Sequence, residues 1–220
     1  LPLLKQAWCA EPDTRPEEIR SATEWRVPNR ITGETSSNLL VCQGRKLKCY
    51  NTDGAILWTF TSRGLMRCVT TADVDGDGKE EILCGGNDEH VYVLNDSGHQ
   101  LARHHMSEQL IVGQGGTTNP CINSLLAGDF YGTGEMLIVA GCTNSQISMF
   151  DTQFNRIWNR GGIYHGVRRL LSADLSQAGV DTILAADHYG YVHCISPSGD
   201  LLGRAYSELG DVAFDVGDID

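Results

Sequence analysis

One spacing governs the 220-residue chain. An Asp preceded by small or apolar residues returns in TTADVDGDG at Asp73, LLAGDFYGTG at Asp129, LLSADLSQAG at Asp174 and AFDVGDID at Asp218. The steps are 56, 45 and 44 residues. A second marker moves with it: NTDGAILW from Asn51, NDSGHQLA from Asn95, DTQFNRIW from Asp151 and SPSGDLLG from Ser196, at steps of 44, 56 and 45. Two markers advancing together define a unit repeated in tandem. Such a unit cannot bury an apolar face alone and must stack on its neighbours.

Within each unit, short apolar runs alternate with Gly, Asn, Asp and Ser turn signals, which predicts four strands. A four-stranded unit of about 45 residues is the blade of an all-β propeller, whose radial packing buries both sheet faces. The blades are expected at 31–60, 67–104, 122–159 and 168–203, with a partial strand in 211–220 and an N-terminal extension over 1–30. A short helix is expected from Glu11 to Ser21. The truncated Asp-Ile-Asp at 218–220 suggests about four blades of a larger propeller in a longer parent chain.

Charge narrows the partners. The formal net charge is −11 with 17 basic residues, which speaks against duplex nucleic acid, where a cationic stripe is expected. No run of about 18 apolar residues is present, so no membrane span is expected. Neither a G-x-G-x-x-G nucleotide loop nor a G-x-S-x-G nucleophile motif occurs.

The loop from Asp73 to Glu81 carries carboxylates at positions 1, 3, 5 and 9 (Asp73, Asp75, Asp77, Glu81), with Gly78 at position 6 and the Lys79 carbonyl at position 7. Alternating oxygens on a tightly coiled loop converge on one point, and hard oxygen ligands in that number select Ca²⁺. The equivalent loops at Asp129 and Asp174 have Tyr131, Thr133, Ser176 and Ala178 at ligand positions and are expected to be metal-free. The unit DVDGDGKEEILCGGNDEHVYVLNDSGHQL resembles the FG-GAP or VCBS repeat, and NTDGAILWTF resembles the tryptophan strand of quinoprotein-type propellers. The resemblance implies a propeller fold, and propellers of these families serve as adhesion modules, glycan binders and polysaccharide lyases.

Eight cysteines invite a disulfide or zinc reading, but Cys42 and Cys84 share a strand-two position with Ala140 and Ala185. Cys49 and Cys194 likewise share a strand-three position with Val93 and Met149. Cysteine exchanging with small apolar residues is the behaviour of a buried thiol. Cys9 and Cys121, in less regular segments, are candidates to pair.

In a four-stranded blade, the turn from strand two to three and the connection to the next blade share one end. The calcium loop lies at the other. Two irregular connections fall on the first end, 103–121 and 160–167, and long loops in compact domains often carry function. His104, His105 and His165 lie in these connections, and His90 and His188 border the two-to-three turns, with Tyr164, Arg168, Asp187 and Tyr189 nearby. The expected function is a calcium-stabilised propeller binding a glycan or protein ligand, with His90, His104, His105 and Asp187 as contacts. The alternative is a polysaccharide lyase acting by β-elimination on a uronate polymer. There His165, Tyr164, Tyr189 and His188 would move the proton and Arg168 would neutralise the carboxylate. Plentiful calcium suits an extracellular or periplasmic setting.

Overall fold

The structure, a computed structural model, describes residues 19–28, 35–106, 119–163 and 165–206. Every regular element among the described residues is a β-strand, and the fold is a β-propeller of four-stranded antiparallel blades. The first blade is β1 (Ile19–Pro28), β2 (Thr35–Gln43), β3 (Lys46–Tyr50) and β4 (Ile56–Thr61). The second is β5 (Met66–Ala72), β6 (Glu81–Gly86), β7 (His90–Leu94) and β8 (Gln100–His105). The third is β9 (Ile122–Gly128), β10 (Leu137–Cys142), β11 (Ile147–Asp151) and β12 (Arg156–Arg160). The fourth is β13 (Val167–Ala173), β14 (Thr182–Asp187), β15 (Tyr191–Ile195) and β16 (Leu201–Tyr206). Each sheet is a simple meander, with strands hydrogen-bonded in chain order.

Burial follows position within the blade. The second strands are covered on both faces, so β6 and β10 are buried throughout and, Glu81 apart, read as apolar runs. The outermost strand faces solvent, and β16 is exposed along its length. The chain divides into two compact units, Leu1–Arg103 and His104–Asp220. In the first, Leu40, Cys42, Leu47 and Cys49 pack against Val69, Ile82, Cys84, Tyr92 and Leu94. In the second, Leu137, Val139, Ile147 and Met149 pack against Val167, Leu170, Ile183, Ala185 and Ile195. Cys42 and Cys84 are fully buried, as are Ala140 and Ala185, which explains the exchange between them. Burial pushes the Cys42 and Cys49 thiols up to about 12 and Cys84 well above its usual value. No disulfide joins the described cysteines, and Cys9 lies outside the described residues.

The tryptophans of the second marker lock successive blades. The Trp58 indole donates Nε1–H to the carbonyl of Asp96 at 3.0 Å, and Trp158 donates to that of Pro197 at 2.7 Å. Each lies over a glycine with positive φ in the next blade's outer turn, Gly98 at +75° and Gly199 at +87°.

Three boundaries differ from expectation. Residues 19–28, expected in an extension, form β1 and complete the first blade, with Trp25 buried in its core. No Asp marker occurs between Ile19 and Glu34, so repeat alignment passes over a strand whose signal is the alternation of Thr23, Trp25 and Val27. That strand occupies the end of the expected helix, Ile19 to Ser21, while residues 11–18 lie outside the described residues. β8 runs on to His105, so His104 and His105 are strand residues and not part of a connection. The expected partial strand in 211–220 lies outside the described residues.

Candidate functional site

The marker Asp does the same work in three loops. Asp73 Oδ1 accepts the Gly76 N–H at 2.8 Å, and Oδ2 accepts the Gly78 N–H at 2.9 Å. Asp129 accepts from Thr133 and Gly134 at 3.0 and 2.6 Å. Asp174 accepts from Ala178 and Gly179 at 3.1 and 2.6 Å. Donors on a carboxylate favour its charged form. The N–H groups of Gly134 and Gly179 chiefly hold Asp129 and Asp174 below the ordinary carboxyl value. The loop therefore closes on bonds from its own backbone N–H groups to the Asp carboxylate, and this is why the Asp recurs.

Glu81 sets the first of these loops apart. At the first residue of the second strand, where the third and fourth blades have Leu137 and Thr182, it places a carboxyl that is 6% exposed. Burial, then the negative charges of Asp75 and Asp77, raise it above the ordinary range, against the lowering effect of the Val74 N–H on Oε2 at 3.0 Å. Carboxylate oxygens of Asp73, Asp75 and Glu81 lie within 4.8 Å of one another. Asp77 and Lys79 turn to each other instead, with the Lys79 N–H on Asp77 Oδ1 at 2.8 Å and Nζ 3.6 Å from Oδ2. Of the four expected carboxylate ligands, three converge. A half-buried set of three carboxylates suits a hard divalent cation.

The second place is the end of the fourth blade that carries its two-to-three turn. The connection before β13 is clamped there. A Cβ on Gly166, at φ +90°, would come within 2.8 Å of Thr143 backbone atoms, and one on Gly141 would meet Val167 at 2.5 Å. This packing holds His165 at φ +57°, a conformation non-glycine residues rarely adopt, and such strain concentrates at functional sites. Exposed His165 meets the Tyr189 ring edge to face, with centroids 4.8 Å apart. His188 and Arg168 are exposed beside them in the chain, and Tyr164 lies outside the described residues.

Beneath the turn, Asp187 is buried and fully engaged. Its Oδ1 accepts the N–H groups of Tyr189 and Tyr191 at 2.8 and 3.0 Å, and Oδ2 lies 3.1 Å from Nε2 of buried His193. It holds the hairpin that presents Tyr189. The remaining expected contacts are dispersed. His90 stacks on Tyr92, with Nδ1 2.6 Å from the Asp88 carbonyl. His104 stacks face to face on Phe154 at 5.0 Å, and His105 is exposed on β8.

Sequence reasoning missed the aromatic group next to this turn. Tyr191 and Tyr206 are register partners with ring centroids 4.7 Å apart, and the Arg204 guanidinium lies 5.0 Å over the Tyr191 ring. Tyr189 is 51% and Tyr206 60% exposed. The signal was available in part. Tyr191 and His193 alternate on β15, and the hairpin pairs them with Tyr206 and Arg204.

Residues 31–121 match the family model of the lambda-carrageenase β-propeller domain. No curated protein matches the chain. Among solved structures, Saccharomyces cerevisiae Sqt1 aligns with a TM-score of 0.65 at 16% identity, over 85% of this chain and 48% of that one. BBS1N in complex with ARL6DN, soaked with lead, aligns at 0.58 and 12% identity, over 89% and 54%. Chaetomium thermophilum Sqt1 bound to the N-terminus of the ribosomal protein L10 aligns at 0.54 and 17% identity, over 77% and 46%. The chain spans about half the length of the solved propellers it matches, and at these identities the likeness is one of fold.

Proposed function

We propose that this chain is the ligand-binding part of a propeller, that it takes a glycan at the Tyr189 end of its fourth blade, and that Ca²⁺ stiffens the Asp73–Glu81 corner. One observation carries the ligand reading: two strongly exposed tyrosines, Tyr189 and Tyr206, are held by ring contacts to His165 and Tyr191. A rigid exposed aromatic ring offers a flat apolar face and a polar tip at low entropy cost, which suits the face of a sugar ring. The lambda-carrageenase match over 31–121 supports a polysaccharide as the ligand. Calcium is supported by Glu81, whose buried charge beside two other carboxylates asks for a counter-ion. A calcium-held corner with a polysaccharide ligand goes with an extracellular or periplasmic setting.

Affinity electrophoresis in gels containing lambda-carrageenan tests the ligand. Retardation of the native chain that Tyr189→Ala and Tyr206→Ala both relieve is expected. A native chain that migrates freely in that gel, and in gels of other polysaccharides, refutes the reading. Binding to a peptide in place of a glycan, the use named for the ribosomal-protein complex of Sqt1, is the contrary outcome.

The contact between His165 and Tyr189 favours a second reading, the lyase. An imidazole beside a phenol supplies a proton acceptor and a donor for β-elimination. Incubation with a polyuronate and absorbance in the unsaturated-uronate band tests it. A rising signal lost in His165→Ala supports the enzyme, and a flat trace rejects it.

A further inference from the structure

Among the described residues, the Arg204 side chain is seated by a ring and by no hydrogen bond or ion pair. It lies on β16, which is exposed along its length, and its guanidinium sits 5.0 Å over the Tyr191 ring. A cation on a ring face is held by the ring quadrupole, so the five N–H donors of the fork stay unengaged. That sets Arg204 apart in a chain of 28 acidic and 17 basic side chains, where an exposed guanidinium has many carboxylates to choose from.

The blade scaffold does not ask for an arginine there. Register places Arg204 opposite His193, and the matching pairs in the first and third blades are Thr59 opposite Lys48 and Asn159 opposite Ser148. Two residues further along β16, Tyr206 stands opposite Tyr191, where the first blade pairs Thr61 with Lys46. Residues two apart on a strand share a face, as do partners across a ladder. Tyr191, His193, Arg204 and Tyr206 therefore make one patch on one side of the fourth blade. The rings of Tyr191 and Tyr206 lie 4.7 Å apart. The Asp187 carboxylate on the adjacent strand is taken up by His193 and by the N–H groups of Tyr189 and Tyr191, so it does not compete for the guanidinium.

We infer that Arg204 is the specificity-determining residue of the fourth-blade site, and that its fork takes an oxyanion substituent, a sulfate ester or a carboxylate, on a sugar whose ring rests on Tyr206. The planar fork meets either oxyanion with two parallel hydrogen bonds, which the point charge of Lys cannot do. The Tyr191 ring places the guanidinium beforehand, so less side-chain freedom is lost on binding. Tyr206, 60% exposed on the same strand, supplies the flat apolar face. This inference deepens the glycan reading and rests on it for the sugar, while the oxyanion chemistry stands on Arg204 itself.

Calorimetric titration with a sulfated galactan oligosaccharide, its desulfated form and an oligouronate tests it. The native chain binds a charged oligosaccharide more tightly than the desulfated one, and the preference between sulfated galactan and oligouronate separates the two oxyanion sources. Arg204→Gln weakens the charged sugar about tenfold and leaves the desulfated one unchanged. Arg204→Lys keeps the charge without the fork and still weakens it. Arg26→Gln removes the same charge from β1, beside Glu24, and changes neither. Equal losses on charged and desulfated sugars from Arg204→Gln, no loss, or a matching loss from Arg26→Gln each overturn the inference and leave the glycan reading standing. If no sugar binds at all, the glycan reading fails, and the Arg204 Nε–H resonance is followed during titration with inorganic sulfate. A shift of that resonance that the Arg26 Nε–H does not share upholds the oxyanion site, and a resonance that stays still overturns it.

Discussion

Trp158 lays its indole over Gly199 and donates to the neighbouring Pro197 carbonyl at 2.7 Å, so one side chain both covers and hydrogen-bonds the outer turn of the next blade. A Cβ at residue 199 would sit 2.9 Å from the indole, on a backbone at φ +87°. Gly199→Ala therefore carries two penalties, strain at positive φ and a clash with an aromatic ring, together about 2–3 kcal/mol. Chemical denaturation followed by tryptophan fluorescence checks this. An unchanged midpoint would show that the indole moves aside freely.

Glu81 links the Asp73–Glu81 corner to pH. Its folded-state carboxyl value is raised, so its contribution is fully present below the ordinary 4.5 and is lost as pH rises through the raised value. At neutral pH in chelator, Glu81→Gln removes a buried negative charge and stabilises the protein by about 1 kcal/mol, or about 2–4 °C in Tm for a domain of this size. Calcium reverses the order, raising the Tm of the native chain and leaving the variant unmoved. Scanning calorimetry with and without Ca²⁺ reads both.

Asp129 and Asp174 bear the opposite sign. Their carboxyls are held below the ordinary 3.8 by loop N–H donors, so the stability they contribute is present above 3.8 and is lost as pH falls through the depressed values. Asp129→Asn with Asp174→Asn flattens the acid end of the stability profile. Circular dichroism across an acid titration follows the change, and a native-like acid limb in the double variant would contradict it.

Asp187 and His193 make a buried polar pair under the Tyr189 hairpin. Removing one partner strands the other. Asp187→Ala costs about 3–5 kcal/mol and also frees the turn that positions Tyr189, so glycan retardation falls with stability. His193→Phe, which fills the space and leaves the two backbone donors on Asp187, costs less and keeps the retardation.

The architecture was legible because each blade repeats its turns. Asp73, Asp129 and Asp174 are fixed by a local bonding pattern within five residues, and such patterns mark themselves in a sequence. β1 was missed because its loop lacks that Asp. Three of the four carboxylates read along this loop, Asp73, Asp75 and Glu81, lie together, and only the turn of Asp77 toward Lys79 was hidden. The aromatic end of the fourth blade was half visible. Tyr189 and His165 stand out in irregular segments, whereas Tyr206 joins Tyr191 across a strand pair, and cross-strand register is not written in local spacing.

The closure of the Asp73 loop on its own amide groups has a consequence for timing. A corner that is already shaped needs no rearrangement before the proposed ion arrives, so uptake would be quick. The ion would act as a tunable brace on one vane of the fan, following the surrounding concentration, with the rest of the molecule folded throughout.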